Sequence, residues 1–271
     1  MSAPYELGFI GAGNMAEGIA AGLLGRGVYR DDQLIASDPA PARRDVFTAL
    51  GVAVTEDNAR VVADSSIVLL AIKPQGFAAV ADGLRPEMRP DHLVISIMAG
   101  IGSDGIAAAL GDAAIRVVRV MPNLPIRVGA GIAGVCGGAA ATPDDVATAA
   151  RIFAAGGESV VVSDESKLDA VTAVSGSGPA YFYAFVEAIV AGGVAAGLDE
   201  ADALKLAEHT CLGAARMMLE TGEPPADLRR KVTSPGGTTQ AALESMARAG
   251  VPKAIRDAVV ASAERSRELG Q

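Results

Sequence analysis

Residues Leu7–Gly18 read LGFIGAGNMAEG, an apolar run followed by small residues at Gly11, Gly13 and Ala16 in the spacing G-x-G-x-x-A. A buried parallel strand that runs through a glycine turn into a helix binds the pyrophosphate of a dinucleotide, because backbone N–H groups at the helix start face the negative charge. Gly11 permits the tight turn, Gly13 lets the backbone approach the phosphates, and Ala16 lets helix and strand pack closely. The stretch predicts a dinucleotide-binding unit, with a plain strand–turn–helix as the alternative.

The composition indicates a globular protein that binds neither nucleic acid nor an anionic membrane. The chain has 271 residues, of which 50% are hydrophobic, enough for one large domain or two modest ones. Its formal net charge is −9, whereas nucleic acid or an anionic membrane would require a basic face. No basic segment precedes the first apolar run, so we expect no signal peptide and a cytoplasmic location.

The cysteines and histidines predict no metal site. Cys136 and Cys211 lie in different segments without C-x-x-C spacing, which favours two small buried side chains in a reducing compartment. His92 falls at the start of a predicted strand, and His209 lies among apolar residues of a predicted helix, where an interior residue is commoner than a catalyst. We therefore expect no histidine-based acid and base pair.

Strands and helices alternate over residues 1–163, which predicts an α/β fold with a doubly wound sheet, a Rossmann domain. After the first strand, the predicted strands are Gln33–Ser37, Val52–Val54, Ile67–Ile72, His92–Ile97, Ile115–Val120, Val128–Val135 and Ser159–Val162. Ligands of such sheets bind beyond the carboxyl ends of the strands. The residues that follow each strand are therefore the candidates for cofactor binding.

Residues 164–271 show helical periodicity alone, which predicts a second, all-α domain. The predicted helices are Glu165–Val174, Ala180–Gly197, Leu198–Thr221, Pro225–Lys231, Gly237–Arg248 and Pro252–Leu269. The Ala180–Gly197 helix is apolar nearly all round and long enough to span a membrane, but its central Glu187 and the lack of flanking Lys or Arg favour burial against a second subunit. We expect an intertwined homodimer.

Several polar residues follow the predicted strands. Asp38 stands where a carboxylate binds the adenosine ribose hydroxyls of a dinucleotide. Arg43 and Arg44, within one turn of the next helix, either attract a 2′-phosphate or lie on a solvated face. Lys73 falls at the cofactor crevice or is a solvated loop residue, and Asn123, between two prolines, either caps the chain or binds the ligand.

A second glycine turn, Val232–Thr239, reads VTSPGGTT and enters a predicted helix. The early N–H groups of this helix belong to Gly236, Gly237, Thr238 and Thr239, and the glycines carry no side chain to block an approaching group. Backbone dipoles of this kind form a site for an anion the size of a carboxylate. An ordinary proline–glycine helix entry is the alternative.

Five strings of sequence together resemble the pyrroline-5-carboxylate reductase family over essentially the whole chain. They are GFIGAGNM at Gly8–Met15, LAIKPQ at Leu70–Gln75, RVMPNLP at Arg119–Pro125, SGSGPAY at Ser175–Tyr181 and VTSPGGTT at Val232–Thr239. The glycine fingerprint is shared by many dehydrogenases, whereas the last two strings are close to family-specific. The resemblance implies hydride transfer from NADPH or NADH to the C=N carbon of 1-pyrroline-5-carboxylate, which gives L-proline in the last step of proline biosynthesis.

The resemblance also implies the site residues and the assembly. Cofactor contacts are implied for Phe9, Ile10, Gly11, Ala12, Gly13, Asn14, Met15, Ser37, Asn58, Ala71, Ile72, Lys73 and Pro74. The substrate site is implied for Gly236, Gly237, Thr238 and Thr239. Members of the family form dimers through the α-domain and often assemble into rings of dimers. Asp38 is a departure, because the resemblance leads us to expect a neutral residue of a 2′-phosphate pocket there, and it leaves the preference between NADPH and NADH open.

The absence of a histidine pair is compatible with this chemistry. A cyclic imine can be protonated before it binds, so the enzyme has only to position the iminium carbon and guide one proton. A hydroxyl suffices for that task. Thr239 is our candidate catalytic residue, hydrogen-bonded to the ring nitrogen, with the substrate carboxylate on the amides of Gly237 and Thr238.

Two other functions compete with this interpretation. A β-hydroxyacid dehydrogenase also combines a Rossmann domain with a helical domain, but it requires a lysine in the first long helix of the second domain, and Ala180–Gly197 has none. The other alternative is a non-catalytic redox sensor that binds NAD(P)H. The intact VTSPGGTT string favours the enzyme.

Overall fold

The computed structural model describes residues 3–270, which form eight strands and twelve α-helices. The strands are β1 Tyr5–Ile10, β2 Leu34–Ser37, β3 Ala53–Thr55, β4 Ser65–Leu70, β5 Leu93–Ser96, β6 Arg116–Met121, β7 Gly131–Gly137 and β8 Gly157–Val161. The helices are α1 Asn14–Gly25, α2 Pro41–Ala49, α3 Asn58–Asp64, α4 Phe77–Leu84, α5 Ser103–Ala109, α6 Pro143–Ala154, α7 Lys167–Val171, α8 Gly178–Ala195, α9 Glu200–Thr221, α10 Pro225–Lys231, α11 Thr238–Arg248 and α12 Val251–Leu269.

All eight strands form one sheet in the order β3-β2-β1-β4-β5-β6-β7-β8. The first six strands run parallel, so their carboxyl ends meet at one edge of the sheet. The strand ends are level across this edge, since Ile10 pairs in register with Ser37 on one side and with Leu70 on the other. The predicted doubly wound Rossmann domain is confirmed.

The central strands of the sheet are buried on both faces, since alternate side chains of each strand point to opposite sides and each side packs in a hydrophobic core. Leu7 and Phe9 belong to one hydrophobic core, which the helices α1, α2 and α6 cover, whereas Ile10 belongs to the second core, beneath α3, α4 and α5. The ring of Phe9 meets that of Phe47 edge to face, with centroids 5.7 Å apart. The central strands are therefore almost continuously apolar.

The β6–β7 connection differs from the sequence-based expectation. The predicted strand Val128–Val135 begins only at Gly131, because Leu124–Val128 forms a 3₁₀ helix that ends at Gly129 in the left-handed conformation (φ 70°). This connection is too short for a crossover helix, so β7 runs antiparallel to β6, and β8 is parallel to β7.

The described residues divide into two compact units. One comprises the residues up to Ser177 together with those from Ser262 onward, and the other is Gly178–Ala261. The predicted helix Glu165–Val174 begins at Lys167 as α7 and continues as a π-helix, Thr172–Gly176, and both belong to the first unit. The sequence pattern changes earlier, at Asp164, and the domain boundary at 163/164 stays a prediction.

The second unit consists of helices whose apolar side chains are largely exposed. Phe182, Tyr183, Phe185 and Ile189 of α8 are between 41% and 61% exposed. Among the described residues, the helical stretch Lys167–Ala195 alone has the length and composition of a membrane span. Its apolar 18-residue window has a mean hydropathy of 1.3, and only 6% of that window is buried within the chain. These side chains require a further apolar partner.

Candidate active site

The carboxyl edge of the sheet brings the predicted cofactor residues together. The strand order reverses at β1, which lies between β2 and β4. A crevice outside such a reversal point is where open α/β sheets bind dinucleotides. The last residues of β1 and β2 and the segments that follow β1, β2, β3 and β4 line this edge, and together they contain all the residues to which the sequence assigns cofactor contacts.

The β1–α1 turn fits a pyrophosphate. Gly11 has φ 96° and donates its N–H to Ser37 O at 2.9 Å, and a Cβ at Gly11 would lie only 2.8 Å from Ala71 O. Gly13 precedes the first residue of α1 in an ordinary extended conformation, and a Cβ there would meet no atom within 4 Å. The space beside Gly13 is thus open to a ligand, whereas Ala16 is fully buried against the sheet, as its place in the fingerprint predicts.

The peptide of Ala12 is held by side chains from the β2–α2 segment. Asp38 Oδ2 accepts the Ala12 N–H at 2.9 Å, and Asp38 Oδ1 accepts the Ala40 N–H at 2.9 Å. Arg43 donates from Nε to Ala12 O at 2.6 Å and pairs with Glu17 at 2.7 Å.

The second arginine of this segment is also engaged. Arg44 donates to Asp38 O at 2.7 Å and pairs with Glu56, and its side chain is only 16% exposed. Arg43 and Arg44 therefore do not lie on a freely solvated helix face, and each is already paired with a carboxylate.

Ser37 and Asn58 are brought into direct contact. The fully buried Ser37 hydroxyl donates to Asn58 Oδ1 at 2.6 Å and lies 3.3 Å from Phe9 O. Asn58 is the first residue of α3, and the preceding Asp57 caps that helix by accepting the Ala59 N–H at 2.9 Å. The structure thus joins the two polar residues that sequence reasoning placed separately.

The end of β4 lies beside the glycine turn. Ala71 donates its N–H to Ile10 O at 2.9 Å, and Pro74 opens a short 3₁₀ turn after the exposed Lys73. Among the described residues the side chain of Lys73 has no hydrogen bond and no ion pair, whereas its backbone carbonyl accepts the Gly76 N–H at 3.1 Å. Asn123 is 7% exposed, and its Oδ1 accepts the Ile132 N–H at 2.9 Å. Of the two roles left open for Asn123, this contact is structural, since it anchors the start of β7.

The VTSPGGTT segment lies in the second unit, and Gly237 is the residue that precedes α11. Gly236 has φ 71° and donates its N–H to Gln240 Oε1 at 2.7 Å, while Gly237 donates to Ser234 O at 3.0 Å. The predicted use of the Gly237 amide for the substrate carboxylate is therefore not supported, because that amide closes the turn. Within the described residues, the N–H groups of Thr238 and Thr239 and the Thr239 hydroxyl have no acceptor or donor partner.

Neither histidine forms an acid and base pair. His92 is fully buried, its Nδ1 accepts the Arg89 N–H at 3.0 Å, and burial lowers its pKa below the ordinary value. His209 is exposed within the single chain, whereas the sequence predicted an interior residue.

Cys136 is buried, and burial raises the pKa of its thiol. No group of three metal-ligating side chains occurs among residues 3–270.

Sequence reasoning assigned no role to one loop at this edge. Residues 97–102 follow β5, and Ile97 donates its N–H to Leu70 O at 3.2 Å, so the loop lies next to the end of β4. The signal in the sequence that could have identified this loop is a glycine-containing turn directly after a buried strand. In the structure Gly100 of this turn adopts φ 78°.

Two protein-family models match the chain. Residues 6–100 match a model described as NADP oxidoreductase, coenzyme F420-dependent. Residues 165–269 match a model described as pyrroline-5-carboxylate reductase dimerisation, so the C-terminal part of the chain is a dimerisation domain.

Relatives and solved structures match over nearly the whole chain. The chain is 43% identical over 267 residues to a pyrroline-5-carboxylate reductase of Methanosarcina acetivorans, with 98% of each chain covered. The structure superimposes on a pyrroline-5-carboxylate reductase of Coxiella burnetii with a TM-score of 0.93 at 35% identity, with 99% of each chain covered. It also matches a Plasmodium falciparum pyrroline carboxylate reductase with NADP bound, with a TM-score of 0.87 at 26% identity and all of both chains covered.

Proposed function

The chain belongs to the pyrroline-5-carboxylate reductase family, and we propose that it reduces the C=N bond of 1-pyrroline-5-carboxylate to give L-proline, with NADPH or NADH as the reductant. The structural observation that supports the proposal most directly is the shape of the β1–α1 turn. It leaves open space beside Gly13 at the point where the strand order reverses. A dinucleotide pyrophosphate fits a helix start of this kind.

The cofactor residues are assigned by their place at the carboxyl edge. Residues 9–15 bind the pyrophosphate, Ser37, Asp38 and Asn58 lie on the adenosine side, and residues 71–74 lie beneath the centre of the dinucleotide. The reduced nicotinamide supplies the hydride when the cofactor is bound. The chain's own contribution is to orient the dinucleotide through backbone amides and to exclude water from the crevice.

The substrate site is assigned to Gly236, Gly237, Thr238 and Thr239. The N–H groups of Thr238 and Thr239, at the start of the eleven-residue α11, bind the substrate carboxylate, and the glycines leave room for its approach. The Thr239 hydroxyl contacts the ring nitrogen and guides the single proton that the reaction requires. This assignment is supported by the lack of any partner for that hydroxyl among the described residues.

The assembly is part of the proposal. We infer that α8 packs against a second copy of the chain within a homodimer, and not in a membrane, because it lies in the dimerisation domain and exposes five large apolar side chains. Further assembly into a ring of dimers rests on the family resemblance alone, and a cytoplasmic location rests on the sequence pattern before the first strand and on the unpaired cysteines.

The competing functions predict different results in one assay. A β-hydroxyacid dehydrogenase is disfavoured because α8 contains no lysine, and a non-catalytic redox sensor would bind NAD(P)H without turnover. Oxidation of NADPH or NADH on addition of 1-pyrroline-5-carboxylate, followed by the loss of absorbance of the reduced nicotinamide with L-proline identified as product, is expected only for the proposed reductase.

Thr239→Val tests the catalytic assignment, because it keeps the shape of the side chain and removes only the hydroxyl. We expect kcat/KM for 1-pyrroline-5-carboxylate to fall roughly 10- to 1,000-fold, since the contact strengthens as the imine nitrogen becomes an amine. The affinity for NAD(P)H and the melting temperature stay nearly unchanged, because Gly237, and not Thr239, is the residue that caps α11.

Thr210→Val is the matched control, since it removes an exposed hydroxyl from α9 in the same unit. Its kcat/KM is expected to equal that of the wild type. A Thr239→Val enzyme with near wild-type kcat/KM would remove Thr239 from the mechanism, and a loss of about 1 kcal/mol of stability with full activity would identify a helix-capping residue instead.

A further inference from the structure

We propose that Glu165 and Arg119 are positioning residues that hold the β5–α5 loop, residues 97–102, as the wall of the cleft beside the nicotinamide half of the cofactor. The identity of the ligand rests on the proposed function. The claim that Glu165 and Arg119 hold the loop rests only on contacts within the first unit. The claim about the loop and the claim about the ligand are therefore tested separately.

The loop lies on the side of the crevice opposite to the adenosine residues. Ile97 is hydrogen-bonded to Leu70, and Ala71 is in turn hydrogen-bonded to Ile10, so the loop continues the edge from β1 through β4 to β5. The two halves of a doubly wound sheet each bind one nucleotide of the dinucleotide. With the adenosine side at Ser37, the loop after β5 faces the other half.

Backbone packing restrains the middle of the loop. Gly100 adopts φ 78°, and a Cβ there would lie 2.7 Å from Leu269 O, at the end of α12. Met98 is 1% exposed, and its N–H donates to the Ser96 hydroxyl at 3.2 Å. These contacts leave little room for movement as far as Gly100, and the next anchor is at the beginning of α5.

A single carboxylate holds the far end of the loop. Ser103, the first residue of α5, donates its N–H to both oxygens of Glu165, at 3.1 and 3.3 Å, although Glu165 follows it by 62 residues in the sequence. Glu165 is also the first residue that matches the dimerisation model. The carboxylate supplies the partner that the helix start otherwise lacks, since Gly102 provides no side-chain cap.

Arg119 forms an ion pair with this carboxylate. It stands on β6 in register with Ser96, the last residue of β5, and its Nη1 lies 3.4 Å from Glu165 Oε2. The Arg119 side chain is 12% exposed, and its Nε has no hydrogen-bond partner within residues 3–270. A guanidinium so far removed from water depends on a nearby carboxylate, and removal of either partner leaves an uncompensated charge. The pair therefore acts as one unit on the loop.

Removal of the carboxylate is expected to alter orientation more than binding. A displacement of the nicotinamide by about 1 Å costs roughly 100-fold in rate, because the reacting atoms leave the near-attack geometry. The adenosine half is bound by a different segment, which Glu165 does not contact. The expected signature is a loss in kcat without a matching loss of affinity for an adenosine fragment.

Glu165→Ala in the full chain gives the test. Hydrogen exchange measured by mass spectrometry should show faster exchange in peptides that cover residues 97–105, and this result does not depend on the reaction. In steady-state assays with 1-pyrroline-5-carboxylate we expect kcat to fall about 10- to 100-fold. The inhibition constant of an adenosine fragment should change less than 2-fold, measured with 2′-AMP as competitor of NADPH or with AMP as competitor of NADH. Glu165→Gln, which keeps one carbonyl acceptor, should recover part of the loss.

Arg116→Gln is the matched control, because Arg116 stands on the same strand and pairs with Asp145 at 2.7 Å, away from the loop. It should lose stability but keep kcat and the exchange rates of residues 97–105. Unchanged exchange in Glu165→Ala, an unchanged kcat, or an equal loss of kcat in Arg116→Gln would each overturn the proposal. A wild-type chain without reductase activity would overturn the proposed function, while faster loop exchange in Glu165→Ala would still show that Glu165 holds the loop.

Discussion

At the scale of single residues, the charges at the end of β2 bear on the choice between NADPH and NADH. Each arginine near Ala12 is already paired, Arg43 with Glu17 and Arg44 with Glu56. Asp38, by contrast, is bound by backbone N–H groups and has no cationic partner among the described residues. One negative charge is therefore left uncompensated where the adenosine ribose is proposed to lie, and it disfavours a 2′-phosphate.

Asp38→Ser is expected to raise the ratio of kcat/KM for NADPH to that for NADH by about 10-fold, since unit charges a few ångströms apart near a protein surface interact by one to a few kcal/mol. The lost hydrogen bond to Ala12 affects both cofactors alike, so it cancels in the ratio. Asp32→Ser removes the same charge before the amino end of β2 and should leave the ratio unchanged. An unchanged ratio in Asp38→Ser would show that Asp38 acts only on the backbone of Ala12.

At the scale of the element, the two glycines of the β1–α1 turn meet different requirements. Gly11 is left-handed and packed against the backbone of Ala71, so the fold itself requires it. Gly13 has an ordinary conformation and open space beside it, so the fold does not. The requirement at Gly13 comes from the ligand.

Gly13→Ala is expected to lower the affinity for NAD(P)H at least 10-fold while it costs about 1 kcal/mol of stability or less, because its Cβ fills the space for the phosphates and meets no protein atom. Gly11→Ala should lose affinity and also about 1–3 kcal/mol of stability from the unfavourable φ and the contact with Ala71 O. Fluorescence titration with NADPH and thermal unfolding of both variants provide the comparison. Full affinity in Gly13→Ala would contradict the proposed cofactor site.

The sequence predicted those elements whose signal is local. Apolar runs such as SSIVLL in β4 predict buried parallel strands, and the glycine turns predict the helix starts, so the order of elements and the Rossmann fold were predictable. The direction of β7 was not, because it depends on how Gly129 turns the chain after Pro125. Polar contacts between distant segments, such as Ser103 with Glu165, carry no local pattern at all.

The candidate site was predictable to a similar extent. The segments that line the carboxyl edge follow from the strand pattern and the family resemblance. The pairing of Ser37 with Asn58 and the engagement of both arginines depend on side-chain geometry in three dimensions. The hydrogen bond from Gly237 to Ser234 likewise depends on the shape of one turn, which the string VTSPGGTT alone does not specify.

At the scale of the whole molecule, the two units differ in how they bury apolar surface. The first unit covers both faces of the central strands of its sheet with its own helices. In the second unit, α8 has no buried large side chain, and α9 exposes Leu206, Leu212 and Leu219. A helix without a polar face is stable only when another apolar surface covers it. We propose that a second copy of the chain supplies that surface, because both helices lie in the matched dimerisation domain.

Ile189→Asp tests whether α8 lies at the centre of the subunit interface. The side chain is 41% exposed in the single chain, so an aspartate there remains solvated in a monomer, but in a dimer it would be desolvated without a partner at a cost of several kcal/mol. We expect the variant to dissociate or aggregate in light scattering, with its activity lost. Val128→Asp, a substitution at an 80% exposed residue outside the dimerisation domain, should remain a wild-type dimer. A soluble Ile189→Asp dimer of unaltered mass and stability would place the interface elsewhere on the second unit.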